Sequence, residues 1–244
     1  MARAARRSWR MQSWPMASWL TVMGLLALAP AAFAAGSDDS PWVAGTHYIV
    51  LSPPQPTAVG PGKVEVTEIF SYACPACYQF YPTVDKLRES LPSYAVLDYV
   101  PAGFIPSEDW PVFQRAYYTA LQLGLVNART HDAMFNAVWK TGELATVDLQ
   151  TDRLKQPPPD IQDIARFYAK LTHVSADKFV AASMSFAVDT RVREADQYIQ
   201  DCQVDQTPTI IVNGKYRLTP TTAGGYQQVI ELVKYLVERE KKGG

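Results

Sequence analysis

Phe70-Ser71-Tyr72-Ala73-Cys74-Pro75-Ala76-Cys77-Tyr78 is the stretch on which the reading of this chain turns. Upstream, Val64 to Phe70 is alternating and β-branched, the pattern of a buried strand. Downstream, Phe80, Val84, Leu87 and Leu91 recur at helical spacing. The stretch therefore joins a strand to a helix, with Cys74 at the helix N-terminus and Cys77 about one turn further in. There the helix dipole and unpaired N–H groups favour a thiolate at Cys74. Pro75 suits the first turn, where its missing N–H has no partner to lose. Two intervening residues bring the sulfurs within bonding reach. A low-pKa thiol also leaves readily, so a mixed disulfide at Cys74 can be resolved. By itself, Cys-x-x-Cys fits a redox pair, half of a zinc site or a structural bridge. Zinc needs more ligands, and Cys202, His47, His131 and His173 show no paired ligand spacing, so no metal is expected. The histidines read as surface or internally satisfied residues.

Working outward, His47 to Leu51 fits a short edge strand, followed by the proline-rich Ser52-Pro53-Pro54-Gln55-Pro56, which no central strand accommodates. Tyr94 to Val100 has a second strand pattern. Trp110 to Gln200 is mostly helical and broken into segments, with Phe113, Tyr117 and Leu121 on one face and Ile164, Phe167, Tyr168 and Leu171 on another. After Pro157-Pro158-Pro159, Asp160 is placed to cap a helix, as are Ser175 and Ser185. Thr209 to Val212 is a strand, Asn213-Gly214 a two-residue hairpin turn and Lys215 to Leu218 its return. Tyr226 to Arg239 closes as a helix. The order predicts an α/β fold with a helical block inserted between two halves of one sheet layer.

The 244 residues are 48% hydrophobic and 19% charged, which excludes a disordered or low-complexity chain. A net charge of −1 gives no basic field for nucleic acid, and three cysteines are too few for a disulfide-stapled miniature. Arg3, Arg6, Arg7 and Arg10 precede an apolar run from Trp19 to Ala32, and Ala32-Phe33-Ala34 fits a cleavage site. Residues 1–34 thus read as a secretory signal, whose removal takes the net charge to −5. An uncleaved membrane anchor is the alternative. Export places the protein in the periplasm, where disulfides form.

Glu68 to Phe80 resembles the active-site stretch of the DsbA family of periplasmic thiol:disulfide oxidoreductases. Thr207-Pro208-Thr209 and Val212-Asn213-Gly214-Lys215-Tyr216 resemble that family's cis-proline loop and following hairpin. The resemblance implies a thioredoxin-like fold with an inserted helical domain. It divides the chain into residues 1–34 (signal peptide), 35–105 (first part of the thioredoxin-like domain), 106–189 (helical insertion) and 190–244 (second part). It makes Cys74 the nucleophile, Cys77 the buried resolving thiol and the two a disulfide in the oxidised enzyme. Pro208 would be cis and face that disulfide, and the backbone of Thr207 would pair with a bound peptide. Glu68 would assist proton exchange at Cys77. Read without the family, Glu68 is either a buried acid with its charge disfavoured or a strand-edge acid paired with a surface lysine. Implied partners are unfolded exported proteins with free thiols and a DsbB-like quinone-linked membrane protein for reoxidation. The chemistry requires no small cofactor, and the protein is expected to be a monomer.

Two departures stand out. Family members often carry a lysine on the strand beside the acid, whereas Tyr94 to Val100 offers only Asp98. The best-known members have histidine where this chain has Ala76. Without that positive imidazole, the Cys74 pKa is expected between the known values of about 3.5 for DsbA and about 7 for thioredoxin. The alternative function keeps the fold but acts as a periplasmic reductase or isomerase. Residues 35–63 are too few for the N-terminal dimerisation domain an isomerase normally carries. A non-enzymatic binding module with a structural bridge or zinc site is a third reading. Cys202 reads as a small buried hydrophobe or as a thiol for regulatory pairing.

Overall fold

The structure is a computed structural model that describes residues 40–243. The expected signal segment, residues 1–34, lies outside the described residues. Five strands form one sheet in the order β1-β5-β4-β2-β3. These are β1 (Ile49–Val50), β2 (Val64–Phe70), β3 (Ala95–Pro101), β4 (Thr209–Val212) and β5 (Tyr216–Leu218). β2 and β3 are parallel, joined through helix α1 (Pro75–Ser90), and the remaining pairs are antiparallel. Between β3 and β4 run α2 (Trp110–Gln122), α3 (Ala128–Trp139), α4 (Ile161–Leu171), α5 (Ala176–Ser183) and α6 (Phe186–Asp201). The chain closes with α7 (Pro220–Ala223) and α8 (Tyr226–Gly243).

Strand alternation sorts the side chains into layers. Val64 and Val66 of β2 pack with Phe80, Val84 and Leu87 of α1 and with Val229, Leu232, Val233 and Leu236 of α8. Ile69 and Ile211 point to the other face, where they meet Ile199 and Cys202 at the end of α6. Phe70, Tyr72, Cys74 and Cys77 instead belong to the core of the helical block, with Phe113, Tyr117, Met134, Phe135 and Tyr168. The reactive stretch thus sits where the sheet layer passes into the helical one.

Helix boundaries follow the caps. Asp160, Ser175 and Ser185 each accept a hydrogen bond from the backbone three residues on, starting α4, α5 and α6. α6 runs on through residue 189, so the expected end of the insertion falls inside a continuous helix. Leu121 departs from its expected buried face and is 45% exposed, while Ala116, Tyr118 and Ala120 are buried. It occupies the last turn of α2, where it rims a cavity with Tyr118 and Arg191. Asn213 and Gly214 both have positive φ (53° and 61°), as a primed turn requires. The register pairs Val212 with Tyr216, so Lys215 is one extra residue rather than the start of the return strand. A Cβ on Gly214 would lie 2.0 Å from the Gln55 carbonyl oxygen, and Gln55 N–H donates to Gly214 O at 2.7 Å. Glycine at this position lets the proline-rich segment dock on the hairpin.

Candidate active site

The site is built from the end of one strand, the start of one helix and a loop brought from the other half of the chain. Cys74 is the N-cap of α1, and its Sγ accepts the Cys77 N–H at 3.3 Å. Pro75 follows as the first helical residue. Cys74 Sγ lies 3.6 Å from the carbonyl oxygen of Thr207, whose peptide bond to Pro208 is cis. Thr207 lies against both sulfurs. The thiols are free in this structure.

Their environments push the two thiols apart. Cys74 is lowered from 9.0 to about 6, first by the hydrogen bond from the Cys77 thiol, which outweighs its own burial. Backbone N–H groups of Cys77 and Ala76 add to the effect. Cys77 is fully buried and is pushed well above 9.0, by desolvation first and then by Cys74 and Glu68. One sulfur is therefore a ready thiolate and leaving group, and the other holds its proton.

Glu68 faces this pair from β2 and is only 2% exposed. Burial, then the Cys74 charge, raises its carboxyl from 4.5 to about 8. Its Oε1 has no hydrogen-bond partner. Glu65 on the same strand shows what a merely structural buried acid looks like. Its Oε2 accepts the Ala58 N–H at 2.7 Å and its Oε1 the Thr67 hydroxyl at 3.1 Å. Asp98 has no part in the site. It is in register with Thr67, so it points to the opposite face of the sheet from Glu68.

An aromatic cluster supports the loop before Cys74. Trp139 Nε1 donates to the Tyr72 carbonyl at 2.8 Å, and the Tyr72 hydroxyl shares a 2.8 Å hydrogen bond with His131 Nδ1. His131 is buried, and desolvation first, then Arg88, lowers it to about 3, so it is neutral. Among the described residues no group of three or more His, Cys, Asp or Glu is arranged to hold a metal ion.

The chain matches a family model described as Thioredoxin over residues 60–232. It is 34% identical over 223 residues to the thiol:disulfide interchange protein DsbA of Pseudomonas aeruginosa, covering 91% of this chain and 96% of that relative. The chain belongs to the DsbA family. The DsbA of Bordetella parapertussis is 30% identical over 236 residues, covering 95% of this chain and 100% of the relative. The crystal structure of Pseudomonas aeruginosa DsbA superposes with a TM-score of 0.71 at 33% identity, over 85% of this chain and 97% of that one. DsbA from Xylella fastidiosa gives 0.71 at 32% identity, over 82% and 98%. The α/β fold is thioredoxin-like, with a mixed sheet.

Relative to the sequence reading of this DsbA-family chain, the structure adds Arg88, Tyr99 and His131 around the Glu68 side of the site. Arg88 was findable, because Cys77, Tyr81, Val84 and Arg88 repeat on one face of α1. Tyr99 follows only from the β2–β3 register, which sets it opposite Glu68. His131 comes from a helix 59 residues along the chain from Tyr72, and nothing in its local sequence announces the contact.

Proposed function

We propose that this protein is a periplasmic thiol:disulfide oxidoreductase that donates its Cys74–Cys77 disulfide to exported proteins during oxidative folding. The observation that carries the reading is the split between the two thiols, with Cys74 at about 6 and Cys77 well above 9.0. A substrate thiolate attacks Cys74 Sγ of the disulfide, and Cys77 leaves as a thiolate that needs a proton. Glu68, protonated near neutral pH, supplies it. A second substrate thiolate then attacks the substrate sulfur of the mixed disulfide, and Cys74 leaves as the stabilised thiolate. The substrate departs oxidised by two electrons and the enzyme departs as a dithiol.

Thr207 and Pro208 form the substrate-facing edge in this reading, with Thr207 backbone groups pairing to an extended segment of the client. A DsbB-type quinone-linked membrane protein reoxidises the dithiol. The protein acts as a monomer without a small cofactor, after removal of residues 1–34. Residues 35–105 and 190–244 form the thioredoxin-like part and 106–189 the insertion, with α6 shared across the second boundary. Among the described residues no helix is long and apolar enough to cross a membrane. The relatives' shared name, thiol:disulfide interchange protein DsbA, does not favour the reductase or isomerase alternative.

The test is a redox titration of the mature protein in glutathione buffers, with thiols trapped by alkylation and counted by mass. A Cys74–Cys77 couple nearer about −120 than about −270 mV supports the oxidase. A couple at or below about −270 mV overturns it in favour of the reductase. Absence of a two-thiol couple removes both.

A further inference from the structure

If Glu68 gives a proton to Cys77, it must regain one from solvent, and it is itself buried. This inference rests on that reading of Glu68. α1 begins at the reactive pair and carries Arg88 three turns beyond Cys77 on the same face. Arg88 Nη2 donates to the Tyr99 hydroxyl. The guanidinium carbon lies 5.9 Å from the Tyr99 ring centre, and Nη1 donates to Asp85 Oδ1 at 2.6 Å. Tyr99 is the β3 residue in register with Glu68. Arg88, Tyr99 and His131 line a cavity of about 270 Å³ together with Val126, Asn127 and Ala128. Two buried polar atoms of this corner, Glu68 Oε1 and His131 Nε2, have no hydrogen-bond partner.

We propose that Arg88 is a positioning residue for proton exchange at Cys77: from helix α1 it supplies the positive charge that Glu68 faces, and the cavity it shares with Tyr99 and His131 admits the water that carries the proton between Glu68 and solvent. The titratable and charged groups of the corner are Cys74, Cys77, Tyr81, Asp85 and Arg88 on the α1 side, Tyr72 on the loop before Cys74, Tyr99 on β3, and His131 and Asp132 on α3. On β4, Glu68 is in register with the apolar Ile210. Burial, Cys74 and Asp85 all push Glu68 up, and Arg88 opposes them. His131 is neutral, so Arg88 is the permanent cation there. Its hydrogen bonds go to Tyr99 and Asp85 rather than to Glu68. It therefore moderates the carboxyl without fixing it as a carboxylate, which suits a group that must both give and take a proton. In the donating turn, Glu68 gives its proton to the Cys77 thiolate, becomes a carboxylate facing Arg88, and takes a proton from water. In the reverse turn, the Cys77 thiol gives its proton to the Glu68 carboxylate as its sulfur attacks Cys74 Sγ of the mixed disulfide, which forms the Cys74–Cys77 bond and releases the other partner as a thiolate.

Arg88→Met, Arg88→Lys, Glu68→Gln and Ala128→Phe test this in the full mature protein. Glu68 protonation is followed by the infrared carbonyl band of its acid form, assigned by its loss in Glu68→Gln. Resolution is followed as the pH profile of Cys77 attack on a preformed mixed disulfide between Cys74 and a small thiol. Arg88→Met is expected to raise both midpoints by about one pH unit or more, and Arg88→Lys to restore most of that shift. Ala128→Phe, which adds a ring to the exposed lining of the cavity, is expected to slow resolution several-fold with the Glu68 midpoint unmoved. Unchanged midpoints in Arg88→Met, with Glu68→Gln still abolishing the pH dependence, overturn the role of Arg88 and leave that of Glu68 standing. An unchanged rate in Ala128→Phe overturns the cavity route. A pH profile untouched by Glu68→Gln removes the reading of Glu68 and this inference with it.

Discussion

Ala76 and Glu68 set the behaviour of the two sulfurs from opposite directions. Ala76 contributes a backbone N–H to the Cys74 thiolate but no charge. Ala76→His places an imidazolium beside that sulfur. It is expected to lower the Cys74 pKa from about 6 by about one unit or more. The potential should rise by about 30 mV for each such unit, since 30 mV corresponds to about 1.4 kcal/mol for a two-electron couple. Thiolate absorbance against pH and glutathione equilibrium measure the two effects, and an unmoved midpoint refutes the electrostatic account. Glu68 carries a stability cost whose sign can be checked. Its carboxyl is raised from 4.5 to about 8, so the unfolded chain releases the proton first. The cost is absent below pH 4.5, grows between 4.5 and about 8, and is complete above that. Glu68→Gln should therefore stabilise the reduced protein at pH 7 by on the order of 3 kcal/mol and by little at pH 4. Denaturant melts at the two pH values decide it, and equal gains at both would contradict the raised carboxyl.

At the scale of elements, the caps were legible and the register was not. Asp160, Ser175 and Ser185 declare their helices because a short polar side chain before an apolar period has a local physical role. The strand-to-helix reading of Phe70 to Tyr78 rests on the same kind of local signal. What the sequence withheld is non-local: Glu68 opposite Tyr99, Arg88 reaching Tyr99 from α1, and His131 under Tyr72. The strand composition offered Asp98 and no lysine beside the acid, and alternation puts Asp98 on the other face from Glu68. α3 is the element that holds the loop before Cys74, through His131 and Trp139, and it begins at a capping box between Asn127 and Thr130. Asn127→Ala is expected to cost about 1 kcal/mol. It should also speed amide exchange at the start of α3 while leaving the Cys74 titration in place. Loss of the Cys74 shift in that variant would show that α3 does more than support the loop.

Across the whole molecule, Cys74 and His131 lose stability for the fold as pH falls, against the cost at Glu68 that acid relieves. Cys74 is depressed from 9.0 to about 6, so its contribution to the reduced form is complete above pH 9 and is lost as pH falls through about 6. At pH 7 that contribution is about 1.4 kcal/mol relative to an unperturbed thiol. His131, depressed from 6.5 to about 3, likewise loses stability for the fold as pH falls between those values. The reduced protein should therefore lose more stability than Cys74→Ser on going from pH 8 to pH 5. Parallel curves for the two proteins would show that no thiolate is stabilised in the fold. Cys202, buried between Ile199 and Val204 with its thiol raised to about 11 by burial, behaves as part of the core.

The sulfur of Cys74 is also the cap of α1, accepting the N–H of Cys77. As a thiolate it accepts that hydrogen bond with a full negative charge, and as half of a disulfide it accepts as a neutral atom, more weakly. The helix is thus better terminated after the enzyme has handed over its disulfide than before. The molecule relaxes into its own secondary structure at the moment its client is cross-linked, so the preferred direction of traffic is written in how one helix begins.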